Sequence, residues 1–539
     1  MNEKSKQTSQ KLRGGYYTPQ RLAMFLSNWV VQEGNVFSIL EPSAGDGSFI
    51  NCLINIKKKL NVTAIEIIEE ESNKILSKTK ANDNFKVINT DFYNFYESYI
   101  SENSVKYDAV LGNPPYIRYQ YLSEDQREFQ SKILKKNNIK PNKLINSWVA
   151  FTVASIEMLS DGGKIAFILP TDLLQVSYAK QLRQFLFENL SYLTIMTFDE
   201  LIFNDIQQDV IVLLGVKKER KLNKCVDHNL RVINLKNIDC LNSDLYNIPF
   251  KKYTQYDADK WTKFYLTNKQ RNFYEGDFID STNEFNKYAT GEVGVTTGNN
   301  SFFVITDKVA KSYFIKDYTR PVLGRSVEVR GVFYTQEDLL LNTKSNQKVW
   351  MLDFNGKKLN QKAKKYIKYG EENKDNIGYK LSLRTRWYDI PSIWVPDAFL
   401  LRRIGEFPRI IKNESGATST DTFHRIKFNP KINISKFLFL MYSSPTLLSF
   451  ELEGRVFGGG ALEILPGDLK NIRIPKVNNS LNFPALLEEL DEKLRMGESI
   501  TDIVLWVDKT IKKASVFSNK QLSDTFIMWK ALNKKRMGS

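Results

Sequence analysis

From about residue 14 to residue 216, short apolar runs alternate with longer stretches in which apolar positions recur three and four residues apart. The runs VFSILE (36–41), VTAIEI (62–67), FKVINT (85–90), YDAVLG (107–112), GKIAFIL (163–169), LTIMTF (193–198) and DVIVLLGV (209–216) are strand-like. They are rich in β-branched residues and apolar on both faces, as buried parallel strands are. The intervening spacing predicts helices over about 19–32, 48–60, 69–80, 143–159 and 171–190. Alternation of this kind predicts an α/β layer around a mostly parallel sheet. No helix separates the last two strands, so a hairpin there places one antiparallel strand in the sheet.

Beyond residue 217 the pattern breaks into charged, Asn-rich and Tyr-rich segments with short irregular strands. A linker is expected near 217–260, and the domains are expected over 1–250, 251–482 and 483–539, the last from the helical spacing that begins at Phe483. The chain has 539 residues, too many for one ordinary core, which agrees with a division.

No apolar run approaches the ~20 residues of a membrane span, and the polar start MNEKSKQTSQ has no apolar signal core, so a cytoplasmic protein is expected. Cys52, Cys225 and Cys240 are too few and too scattered for a disulfide framework or a Cys-rich zinc site. With His228 and His424 the only histidines, no metal is expected. The net charge is +16, of which residues 1–250 carry +2 and residues 251–539 carry +14. A positive field confined to one half suits a polyanion such as nucleic acid, and equally suits a Lys-rich solvated face.

Chemistry concentrates at the ends of the expected strands. ILEPSAGDGSFI (39–50) leaves a strand, turns through Gly45 and Gly47 and enters a helix, as a nucleotide cradle does; a purely structural turn reads the same way. Glu66 ends the next strand about twenty residues later, where a carboxylate can accept from both ribose hydroxyls. Asp91 closes the third strand, able to accept from an adenine amino group while Phe92 covers the ring, or simply to cap a helix.

LGNPPYIRY (111–119) ends the fourth strand, where ligands sit in open α/β sheets. Pro114 and Pro115 remove two backbone donors and stiffen the turn, leaving carbonyls directed outward beside the side-chain carbonyl of Asn113. An exocyclic amine donating to Asn113 and to the Pro114 carbonyl has its lone pair aimed away from both, and Tyr116 offers a flat face for a base.

These motifs, in this order over roughly residues 13–216, resemble the S-adenosylmethionine-dependent DNA amino-methyltransferases, in the gamma arrangement of bacterial N6-adenine enzymes of restriction-modification systems. The resemblance implies a class I, Rossmann-like fold with a seven-stranded, mostly parallel sheet containing one antiparallel strand. A mixed α+β target-recognition domain and a helical tail would follow. It implies that Tyr17, Thr18 and Pro19 close over the methionine moiety and that Glu41, Ala44, Gly45 and Gly47 line its amino-acid end. Glu66 with Ile67 would hold the ribose, and Asp91 with Phe92 the adenine. Asn113, Pro114, Pro115 and Tyr116 would form the catalytic turn, with Asn113 also bordering the cofactor. By the same resemblance Phe203 would stack on the extruded base; Phe198 is an alternative, and a core role suits either.

GVTTGNNSFFVI (294–305), RPVLGRSVEVRG (320–331), TFHRIKF (422–428) and GDLKNIRIP (467–475) are similar to segments of such recognition domains. KAKKYIKYG (362–370) and LRTRWYD (383–389) are the densest basic and aromatic clusters, with Lys362, Lys364 and Lys365 as phosphate candidates. The implied partners are double-stranded DNA and a separately encoded endonuclease. Cytosine-C5 chemistry is excluded because it needs a cysteine after a proline, and none of the three has one. Cytosine-N4 methylation shares the turn but usually has Ser in place of Asn113. A non-catalytic specificity subunit on the same fold is the reading from another class. Pro396–Asp397 has no Glu-x-Lys suitably downstream, so no fused nuclease is expected.

Overall fold

A computed structural model describes residues 17–32, 36–80, 82–102, 105–203, 209–219, 228–253, 260–457 and 459–538. Cys225 and part of the hairpin segment after Phe203 lie outside the described residues. The chain divides into two compact units, Met1–Thr267 and Asn268–Ser539. The first therefore reaches past residue 250.

The first unit is built on β1 (Ser38–Glu41), β2 (Asn61–Glu66), β3 (Phe85–Asn89), β4 (Tyr107–Gly112), β5 (Leu159–Pro170), β6 (Leu190–Phe198), β7 (Val210–Lys217), β8 (His228–Leu235) and β9 (Lys251–Tyr253). They form one sheet in the order β3-β2-β1-β4-β5-β7-β6-β8-β9. β1 runs parallel to both β2 and β4, β7 inserts antiparallel between β5 and β6, and β9 pairs antiparallel with β8. Seven strands with one antiparallel member were expected; the sheet has nine, and both β7 and β9 are antiparallel.

The two additional strands come from the stretch read as a linker. β8 contains Arg231, which breaks the apolar pattern yet is buried. Its guanidinium donates to Thr194 Oγ1 (3.0 Å) and to the carbonyls of Tyr246 (2.6 Å) and Ile248 (2.8 Å). A buried cation is tolerated when hydrogen bonds compensate for its lost water. Those partners are far away in sequence, so local patterning could not reveal the strand.

The helices α1 (Gln20–Gln32), α2 (Ser48–Ile54), α3 (Glu69–Thr79), α4 (Phe92–Ser101), α5 (Glu124–Lys136), α6 (Ser147–Met158) and α7 (Lys180–Asn189) join the strands. Two apolar clusters form, one containing Trp148 and Phe167, the other Leu22 and Ile168. Residues 167 and 168 point to opposite faces of β5, so the sheet separates the two. α6 is buried on almost every side, as a helix apolar all round must be. α4 and α5 were not expected. α5 begins with a capping box in which Ser123 and Gln126 bond reciprocally, and Ser-x-x-Gln before the helix is its sequence signal.

The second unit contains a five-stranded sheet running Ala289–Val293, Phe423–Phe428, Ala398–Leu401, Ile410–Asn413, Phe333–Tyr334, together with smaller sheets of four, three and two strands. Helices Phe483–Met496, Ile500–Ile511 and Asn519–Met537 belong to this unit: the first packs on Ile434–Leu440 and the last on Ser444–Glu453. Arg536 fastens the chain end by pairing with the buried Glu451 (2.8 and 2.9 Å) and donating to the Gly405 carbonyl (2.8 Å). Among the described residues no helix is long and apolar enough to cross a membrane.

Candidate active site

The site lies at the C-terminal ends of β1, β2 and β4. Past β1 the chain turns at Gly45 (φ +53°) and Gly47 (φ +77°), left-handed conformations that an L side chain adopts only at a cost. A Cβ on Gly47 would also come within 3.0 Å of Ile75 on α3. The loop is tied to β2 by Ala44 N–H to the Ile65 carbonyl (2.8 Å) and by Gly45 N–H to Glu66 Oε2 (2.7 Å). Ile68 N–H donates to the other oxygen, Oε1, at 2.8 Å. Glu66 thus holds the loop in place while each carboxylate oxygen keeps a lone pair for another donor. Burial pushes its pKa up, and the backbone N–H groups of Ile68, Gly45 and Ile67 oppose that shift.

Glu41 is fully buried, and neither carboxylate oxygen has a hydrogen-bond partner. Desolvation holds its pKa well above the ordinary carboxylate range, with Asp46 and Glu66 adding to the effect. A buried carboxylate with neither cation nor donor is costly, so this position suits a ligand cation.

Asp91 caps α4 by accepting from Tyr93 N–H (2.8 Å), and its second oxygen accepts from Gln126 Nε2 (2.7 Å). Phe92 is buried, its ring stacked on Phe151 at 4.5 Å between centroids, and so lies within the core beneath Asp91. Thr18 is buried, whereas Tyr17 and Ile67 are exposed.

The Asn-Pro-Pro-Tyr turn follows β4. Ser43 Oγ, in the loop after β1, reaches the Asn113 carbonyl at 3.3 Å, so the two loops touch. Tyr116 Oη lies 2.8 Å from Asn113 Oδ1 and 3.1 Å from the Ile168 carbonyl, and the half-buried ring packs against both apolar clusters. From the opposite side Ser147, at the start of α6, donates its hydroxyl to the Pro115 carbonyl. It also accepts from Ile117 N–H (3.0 Å) and donates its own N–H to the Ile117 carbonyl (2.9 Å). Pro115 has no amide proton to contribute, so Ser147 is a principal tether of the turn.

No local pattern in the sequence marks Ser43, Gln126 or Ser147 as part of this site. Each is an ordinary polar residue whose partner lies 35 or more positions away or, for Ser147, 30 to 32. Phe203 is buried in the cluster that contains Phe198 and Val210, so the structure places it in the core. Among the described residues no group of three or more His, Cys, Asp or Glu could hold a metal ion.

In the second unit Lys362, Lys364 and Lys365 are exposed on the helix Gln361–Glu372, whose opposite face buries Ala363, Tyr366 and Ile367. The segment TFHRIKF offers little to a ligand, because residues 423–426 are buried in the five-stranded sheet. Asn299 is likewise engaged, capping a helix and binding Asp375.

Comparison with known proteins agrees with this architecture. Residues 21–203 match the family model described as Eco57I restriction-modification methylase, and residues 258–512 match that of the C-terminal domain of Type II methyltransferase M.Eco57I. Type II methyltransferase M.AccI of Acinetobacter calcoaceticus is 24% identical over 474 residues, covering 84% of each chain. Type II methyltransferase M.HincII of Haemophilus influenzae is 32% identical over 226 residues, 41% of this chain and 39% of that one. Among solved structures, the Type IIL restriction-modification enzyme MmeI in complex with DNA shares the fold, with a TM-score of 0.54 and 12% identity over 99% of this chain and 80% of that one. With two such matches in series, the first of them on a sheet whose loops hold this cradle and turn, the chain carries the domains of an Eco57I-type restriction-modification methylase over residues 21–203 and 258–512.

Proposed function

We propose that this DNA methyltransferase acts on N6 of an adenine turned out of duplex DNA, using S-adenosylmethionine. The observation that carries the reading is the contact between Ser43 and Asn113, which brings the glycine loop and the Asn-Pro-Pro-Tyr turn together at the C-terminal ends of the neighbouring strands β1 and β4.

The residues suit the cofactor. Glu41, buried and unpartnered, matches an α-ammonium; Glu66 keeps acceptor capacity for ribose hydroxyls; Asp91 can accept from an adenine amine. In this reading Thr18 and Pro19 border the methionine end and the exposed Tyr17 closes over it. When bound, S-adenosylmethionine supplies a methyl group made electrophilic by its sulfonium.

The chain then has to orient the amine. Asn113 Oδ1 and the Pro114 carbonyl accept its two N–H groups, which turns the nitrogen lone pair away from both and out of conjugation with the ring. Tyr116 supports the base by stacking. Orientation of this kind, with no covalent enzyme intermediate, accounts for the rate advantage. The surplus proton leaves the nitrogen after transfer.

The test is to incubate unmodified DNA with the protein and S-adenosylmethionine and map modified bases by sequencing. N6-methyladenine at one sequence is expected. N4-methylcytosine would overturn the choice of base, and cofactor binding without methylation would assign the chain to specificity alone.

A further inference from the structure

The second unit carries an unusual group of exposed apolar side chains. Ile377, Tyr379 and Leu383 are 69%, 76% and 66% exposed, three large apolar residues within seven positions. Single exposed apolar residues are ordinary, but a group this dense marks a contact surface. Tyr379 and Leu383 are four residues apart on one helical turn and share a face.

This tip stands on a fixed base. Leu381, between the exposed residues, is buried against Gly298, where a Cβ would approach it to 3.0 Å. Asp375 accepts from Asn299 Nδ2 (2.8 Å), Arg384 donates to the Thr297 carbonyl (2.7 Å), and Trp387 Nε1 donates to Glu371 (3.0 Å). These bonds join the two basic clusters and the loop at 294–300 into one structure.

The surroundings are cationic. Residues 361–389 contain eight Lys or Arg and four Asp or Glu. All four acids are engaged: Glu371 by Trp387, Asp375 by Asn299, Asp389 by Arg386 and Glu372 by Lys368. Lys374 is held at φ +63°, in a helix-ending position that glycine or asparagine would fill more comfortably. Keeping a lysine there points to a use for its charge.

An apolar tip in a segment of net positive charge, with Lys374 and Lys380 beside it in sequence, matches one partner in particular. Phosphates flank each base step of a duplex, and the largest apolar surface between them is the base stack. We propose that Ile377, Tyr379 and Leu383 form a wedge that enters the base stack of duplex DNA, with Lys374 and Lys380 seated on the adjoining phosphates. The inference rests on the methyltransferase reading and adds that the second unit deforms the substrate, so that part of its sequence preference comes from how readily a step unstacks.

The test uses the full chain and a short duplex carrying the mapped methylation site, with 2-aminopurine placed in turn at each position. Wild-type protein should brighten the probe at a position other than the methylated base. The I377S/Y379S/L383S variant should lose that signal and methylate the intact duplex at least about tenfold more slowly, while a duplex with an abasic gap at that position should restore its rate to within about threefold of wild type. Cofactor affinity and the thermal midpoint should not change, since all three side chains are exposed. Should the midpoint fall, Tyr379→Ser alone, with Tyr379→Phe as control, carries the same measurement. An unchanged fluorescence pattern, or slow methylation that the gap does not restore, overturns the wedge. A dimer in sedimentation that the triple substitution dissolves overturns it as well, by assigning the tip to a second copy. If wild-type protein methylates no DNA, the functional reading fails separately, and the fluorescence scan on bound plasmid-derived duplexes still decides the wedge.

Discussion

The Tyr116 hydroxyl donates to Asn113 Oδ1 at 2.8 Å, so the acceptor proposed for the substrate amine is engaged within its own turn. The Ile168 carbonyl, 3.1 Å from the same hydroxyl, is a second acceptor to which it can turn when a base arrives. Tyr116→Phe should therefore leave single-turnover methyl transfer within about threefold of wild type, since the ring remains to stack. Asn113→Ala should cost about 10²–10³-fold in kcat, the scale for losing one preorganised hydrogen-bonding group at a reacting centre. Cofactor affinity by calorimetry should shift little in either variant. Near-normal turnover in Asn113→Ala would remove that residue from the chemistry.

Ser147→Ala leaves the Ile117 N–H and the Pro115 carbonyl without their hydroxyl partner in a buried setting. An unfolding free energy lower by about 1–3 kcal/mol is expected from urea titration. Because the turn loosens without losing Asn113, kcat should fall more than the KM for DNA rises. Equal changes in both would mean that Ser147 supports the fold alone.

Asp91 both caps α4 and is proposed to hold the cofactor adenine. Asp91→Asn retains the cap, whereas Asp91→Ala loses it at a cost of about 0.5–2 kcal/mol. Both should weaken S-adenosylmethionine binding about tenfold, since a hydrogen bond to a charged acceptor is worth roughly 1.5–3 kcal/mol. Only the alanine variant should also unfold earlier. Unchanged cofactor affinity in both would exclude Asp91 from the site.

Glu41 binds a proton in the folded state at pH values where an ordinary carboxylate has lost it. The folded protein then holds more protons than the unfolded chain, so stability falls as pH rises above the ordinary carboxylate value and stops falling above the raised one. Glu41→Gln should flatten this dependence and raise stability at neutral pH. Pairing with a ligand ammonium favours the ionised form, so cofactor binding should release protons and tighten as pH rises through this window. Calorimetry in buffers of different ionisation enthalpy measures that release. No release from wild type, or equal release from Glu41→Gln, would separate Glu41 from the cofactor.

Lys362, Lys364 and Lys365 project from one helix into solvent. Replacing all three by Ala should weaken cognate and non-cognate DNA alike and lower the salt slope by about 0.9 for each phosphate that is no longer neutralised. An unchanged slope would make the helix a solvated face only.

The sequence by itself determined the first seven strands, the glycine loop, the places of Glu66 and Asp91 after their strands and the Asn-Pro-Pro-Tyr turn, because each is local: an apolar period, a glycine pair, or two prolines that stiffen their own backbone. Tertiary structure alone decided what depends on distant partners. Arg231 is compatible with a buried strand because Thr194 and two carbonyls accept from it, so β8 was invisible to a reading of periodicity. Ser147 and Gln126 reach the candidate site only when folding carries them to Pro115 and Asp91, and Phe203 is in the core because of what packs around it. The helices after Phe483 looked like an appendage, since amphipathic spacing predicts a buried face without saying against what. The pairing of Arg536 with Glu451 makes them part of the second unit, 85 residues of separation having hidden the contact from any local pattern.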